Sequence, residues 1–378
     1  SSNTGETIDV LIENEKELKK LITSGGFSAD NIAGMLGGAR SRIKQAIEGL
    51  ITNNTALVKF MTNSGFSASS ISCVLASSGA SIGVAIKELC VEGDAVSNFI
   101  KNSSFTTSNV SSMLKGAGGS SGKAIRSLIS HNHDLDRLIK TNNYTATDIA
   151  RMLEGSGNKL NESIRQLVEC APVLNKFIEN TNFSISEVAN MLGSSGSRIR
   201  EGIEALYKNQ DKLSSFIKNT EFTSSNISVI LKESGYLIDK GIKSLVASEK
   251  ALNNFIKYSE FSATNISNML TGSGSNIGVS ISGLLAEAKE LNKFVETTEF
   301  EASNVSSILH ANGNKLGAAI KILLSQEKEL KELMIKYGLT AANVSYKLSS
   351  SKMDLKLNIQ MLNKEMVKKE NSSKIKAK

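Results

Sequence analysis

Apolar residues recur along this chain with two periods at once. Over short stretches they follow i, i+3, i+4 spacing, as in Ile32, Met35 and Leu36 or Ile43, Ala46, Ile47 and Leu50, which places them on one face of a helix. Over longer distances the whole arrangement returns every 39 residues, opened by an aromatic or leucine at Phe27, Phe66, Phe105, Tyr144, Phe183, Phe222, Phe261, Phe300 and Leu339. A period of roughly 20 to 50 residues marks a repeat array, whose units bury their apolar faces against their neighbours. Period-two strand patterns are absent. The pattern predicts an all-α superhelical solenoid of 39-residue helical repeats.

With the aromatic counted as repeat position 1, the unit opens F-[ST]-x-x-N-[IV]-x-x-M-L and passes through a Gly/Ser-rich stretch to a glycine at position 14. It continues as I-x-x-[AGS]-I-x-x-L over positions 17 to 24 and closes as L-x-x-F-I over positions 31 to 35. Three helices fit. Ser28 or Thr106 caps the first. Position 14 is Gly79, Gly118, Gly157, Gly196, Gly235, Gly274 or Gly313 in the second to eighth repeats, the usual place for a positive φ after a helix end. Only Ala, Ser or Gly stands at position 20 in these repeats, which lets neighbouring second helices approach closely. A polar break such as Thr52-Asn53-Asn54 precedes a short third helix carrying Leu57, Phe60 and Met61.

The ends depart from the middle. Residues 1–26 form an N-terminal partial or capping repeat, residues 27–338 eight full repeats, and residues 339–378 a degenerate ninth repeat with a Lys-rich tail. An uninterrupted register over 378 residues predicts one array without a linker. No apolar run is long enough to span a membrane, and no signal-peptide pattern is present. Cys73, Cys90 and Cys170 show no metal or disulfide spacing and read as small apolar residues of a reducing intracellular compartment.

The net charge of +7 changes the picture only through its distribution. Residues 339–378 carry +6 and residues 1–26 carry −2, which leaves +3 for the eight repeats. Within those repeats, positions 14 to 19 hold Arg40, Arg42, Lys44, Lys123, Lys159, Arg198, Arg200, Lys240 and Lys315 against Glu162, Glu201 and Asp239. Positive charge thus gathers where the second helix begins. A helix N-terminus already presents unpaired N–H groups and a positive dipole end to anions, so aligned termini suit a phosphate backbone. The plainer alternative is that these are solvated helix-start residues. The same segment varies most between repeats: positions 12 and 13 read Gly116-Ala117, Gly155-Ser156 or Glu233-Ser234, and positions 15 and 16 read Asn158-Lys159, Tyr236-Leu237 or Asn314-Lys315. A constant frame around a variable tip points to readout; free drift of loops is the alternative.

A unit that opens F-S-x-x-N-I-x-x-M-L, runs through a variable pair and turns on Gly into A-I-x-x-L resembles the repeats of transcription activator-like effectors and their bacterial TALE-like relatives. The resemblance covers residues 27 to about 350. It implies a right-handed superhelix that follows the DNA major groove at about one base per repeat. It also implies that position 13 meets the base, which designates Ala39, Ser78, Ala117, Ser156, Ser195, Ser234, Ser273 and Asn312. Phosphates would then face the position-14 glycines together with Arg40, Arg42, Lys123, Lys159, Arg198 and Lys315. The unit here is longer than that family's, lacks its helix-kinking proline, and seldom has a second Gly after position 14. The opening motif is also similar to mitochondrial transcription terminator repeats.

Signs of catalysis are poor. Lys115 to Ala124 reads KGAGGSSGKA, but its spacing fails that of a phosphate-binding loop and no strand precedes it. His131 and His133 fall in the variable break and lack companions at metal-ligand spacing. The expected function is therefore sequence-directed binding of double-stranded DNA by a monomer, not an enzyme, with no cofactor, no metal, no small-molecule substrate and no membrane partner. A protein-interaction scaffold of HEAT or armadillo type and an RNA-binding helical array are the alternatives. Small polar tips beside Lys and Arg favour nucleic acid, because bulk would clash with base edges.

Overall fold

The computed structural model describes residues 2–37, 39, 42–76, 78–193, 195–310, 312–349 and 355–376, and the side chains of 2–7, 24 and 369–376 lie outside the description. Among the described residues every regular element is helical, and no helix is long and apolar enough to cross a membrane. The second repeat shows the plan: a first helix Ala68–Leu75, a 3-10 turn Gly79–Ser81, a second helix Ile82–Val91 and a third helix Gly93–Asn102. The expected three-residue break before the third helix is a single residue. Asn53 alone separates Ile43–Thr52 from Asn54–Ser64. In the fourth repeat even that break is gone, and Leu160–Asn180 is one helix with Pro172 inside it.

The start of each first helix explains the motif. The Thr106 hydroxyl accepts a bond from the Asn109 N–H at 3.2 Å, while the Asn109 side chain accepts from the Thr106 N–H at 3.0 Å. Two orphan donors of the helix start are thereby satisfied. Ser28, Ser184, Thr223 and Ser262 are placed in the same way. The position-5 residue also reaches the following repeat: Asn226 Nδ2 donates to Thr264 Oγ1 at 3.4 Å and to Ser267 Oγ at 3.3 Å. Asp148 takes this place in the fourth repeat with only 2% of its surface exposed. Its carboxylate accepts from the Thr145 N–H and hydroxyl and from the Ser186 hydroxyl.

The core follows the repeat period. Phe60, Phe99, Phe216, Phe255 and Phe294 at position 34 each lie 5.5–5.6 Å, centroid to centroid, from the aromatic that opens the next repeat. The apolar ridge of the second helix, such as Ile199, Ile203 and Leu206, is fully buried. Position 20 is buried too, and there the Ser280 hydroxyl donates to the Gly313 carbonyl of the next repeat at 2.9 Å. Closest approach of second helices uses paired glycines. A Cβ added at Gly49 would lie 3.0 Å from the Gly83 nitrogen, and one at Gly283 would lie 2.9 Å from the Gly317 nitrogen.

The chain divides into two compact units, Ser1–Glu179 with Ser184–Tyr207, and Asn180–Phe183 with Lys208–Lys378. A third helix packs against the second helix of the repeat that follows it. Gln210–Asn219 accordingly lies with Ile238–Ala247 in the second unit. The degenerate ninth repeat is also packed: its long helix Leu355–Lys376 buries Leu355, Asn358, Ile359, Leu362 and Met366.

Candidate nucleic-acid interface

Each inter-helix tip is a tight backbone figure. The position-13 N–H donates to the position-10 carbonyl, as in Ala117 to Leu114 at 2.9 Å, and the position-16 N–H donates to the position-13 carbonyl, as in Ser120 to Ala117 at 2.9 Å. Position 14 has φ between +50° and +55° in all seven repeats that carry its glycine, as a position past a helix end requires. Position 12 is left-handed as well, in Gly116, Gly155 and Gly272 and also in Glu233 at φ +59°. Between these two, position 13 is helical, with φ of −64° to −73° from Ser78 to Asn312. Position 12 of the first, second, fifth and eighth repeats lies outside the described residues, as does Arg40.

This figure turns the position-13 side chain inward. Ala39, Ser78, Ala117, Ser156, Ser195, Ser234 and Ser273 are 4–7% exposed. Asn312 is half-buried, and its Nδ2 donates to the Leu309 carbonyl at 2.9 Å. The base-facing role that the resemblance assigns to position 13 thus meets a side chain folded toward the protein. The Ser195 hydroxyl donates to the Leu192 carbonyl at 2.6 Å. The hydroxyls of Ser78, Ser156, Ser234 and Ser273 are buried with no partner among the described residues. What the tip exposes instead is the backbone of Gly116, Gly155 and Gly272 at position 12 and the side chains at position 16.

Within each unit some successive tips come close. A Cβ on Gly157 would lie 2.6 Å from the Gly116 carbonyl oxygen, one on Gly196 would lie 3.5 Å from that of Gly155, and one on Gly313 would lie 3.0 Å from that of Gly272. At Gly157 and Gly313 the position-14 glycine therefore serves two ends, the left-handed φ and the close approach of the previous tip. Helix axes pack about 8–10 Å apart, and glycine here lets neighbouring repeats come closer than that at their tips. Compared with protein-family models and with curated proteins, the chain matches none.

The cations around the tips fall into two groups. Arg42, Lys123, Lys159 and Lys315 are exposed, and among the described residues none of them has an ion pair. Lys44 and Lys240 are exposed as well. Arg198 and Arg200 are engaged: the Arg198 Nε donates to Glu201 at 2.7 Å, and the Arg200 guanidinium pairs with Glu169. The Arg198 hydrogen bond holds the Glu201 carboxyl below its ordinary range, so the pair is ionised at neutral pH. Asp239 is likewise drawn down by its hydrogen bonds to Lys243 and Asn209. The positive stripe counted from the sequence is therefore weaker in net charge at Arg200, whose partner Glu169 lies 31 residues back on the preceding repeat. His131 has its ring nitrogens 3.2 Å from Asp134 and 2.9 Å from Asn161.

Proposed function

We propose that the chain is a TALE-like solenoid that binds double-stranded DNA, with the inter-helix tips of each unit against the sugar-phosphate backbone and the groove edge. The observation that carries this reading is the close approach of tips at Gly157 and Gly313, beside the exposed cations Arg42, Lys123, Lys159 and Lys315. DNA presents one charge per 3.4 Å of each strand, and closely set tips carrying Arg and Lys offer cations to that line of charge. Exposed large apolar residues near the tips, Val84, Leu237 and Val279, fall at positions 19, 16 and 19 of separate repeats and form no continuous ladder. A ladder of that kind is what a protein-binding scaffold would display.

The test is a salt titration of duplex binding. Log affinity is expected to fall linearly with log salt, with a slope set by the phosphates neutralised. Replacing Lys44, Lys123 and Lys240 together by Gln is expected to weaken binding on every sequence and to flatten the slope by about 1 for each phosphate no longer neutralised. Unchanged affinity and slope in the triple variant would refute the proposal.

A further inference from the structure

We infer that position 16 of the repeat, and not position 13, is the residue that reads the base, so that each unit's specificity is written by one exposed side chain per tip. The inference rests on the duplex-binding reading above and adds to it which atoms discriminate. It follows by elimination along the tip. Position 12 is glycine in four of the eight repeats, at Gly38, Gly116, Gly155 and Gly272, so half the tips have no side chain to offer there. Position 13 is turned inward, and position 14 is glycine in the second to eighth repeats. Position 15 is only partly exposed in most repeats, as at Ala80, Ser197 and Ser275. Position 16 is exposed in seven of the eight repeats, Ser120 alone being half-buried.

The chemistry at position 16 is also that of base readout. In the first unit it presents Arg42, Lys159 and Arg198, and in the second Leu237, Asn276 and Lys315. Arg and Lys match the two acceptors of guanine, Asn matches the acceptor and donor of adenine, and an apolar side chain meets the thymine methyl. Leu237 is otherwise hard to place, since a leucine 42% exposed on a polar tip gains nothing from water. Arg198 is held by Glu201, which fixes the direction of its guanidinium before any ligand arrives.

Selection from a random duplex pool tests the inference on the full chain. Leu237→Asn is expected to convert a preference for thymine into one for adenine at a single base pair, and Asn276→Leu to make the reverse change at another. Each change should be about 5- to 150-fold in relative affinity. Ser234→Asn and Ser273→Asn, at position 13 of the same repeats, should move neither. All four variants should keep the parent's salt slope, which shows that they are folded and bound. A preference that follows position 13, or that stays put in the position-16 variants while the slope is intact, would overturn the inference and leave duplex binding standing. A parent chain that shows no salt-dependent duplex binding would overturn both.

Discussion

Replacing Gly157 by alanine is expected to destabilise the chain by about 2–5 kcal/mol, the sum of left-handed strain and a backbone collision. At φ +52° an alanine is strained by about 1–2 kcal/mol. Its Cβ would also lie 2.6 Å from the Gly116 carbonyl oxygen and 3.2 Å from the Ala117 nitrogen, so the two tips must part. Gly155 supplies the control. Its φ is +75°, but a Cβ there meets nothing within 4 Å, so Gly155→Ala carries the strain alone. Urea unfolding followed at two wavelengths should place the Gly157 variant well below the Gly155 variant. Equal midpoints would mean that the touching of tips contributes nothing to stability.

Ile203→Ala is expected to cost about 2–5 kcal/mol through forfeited transfer energy and the cavity left behind. Ile203 is fully buried on the second helix of the fifth repeat. The degenerate ninth repeat reads as an edge where such a change should matter less, yet Ile359 is fully buried too, so Ile359→Ala is expected to cost a similar amount. Ile335, 84% exposed on the third helix of the eighth repeat, provides the surface reference, with an expected change within about 0.5 kcal/mol. Thermal midpoints that barely move for Ile203 would place the apolar ridge of that helix outside the core.

Much of this fold is legible in the sequence because the features that determine it are local and repeated nine times. The i, i+3, i+4 apolar spacing forecasts the buried faces, and the position-14 glycines forecast the left-handed residues. The Ser or Thr of the opening motif forecasts the caps. Three things are hidden for identifiable reasons. The position-5 Asn acts both on its own cap and on the next repeat, and the second action depends on tertiary register. Arg200 finds Glu169 across a repeat boundary, which no spacing rule for a single helix exposes. The inward turn at position 13 depends on a left-handed position 12, and Glu233 adopts that conformation without being glycine. A small Ser or Ala between two left-handed residues can face either way, so its burial cannot be read from residue type.

Amide hydrogen exchange with and without a saturating duplex decides whether the tips are the surface that DNA meets. The expected result is slowed exchange confined to the tip segments around Gly118–Ser120, Gly157–Lys159, Gly274–Asn276 and Gly313–Lys315, with third helices such as Glu249–Lys257 unchanged. Slowed exchange along the third helices with unaltered tips would contradict it.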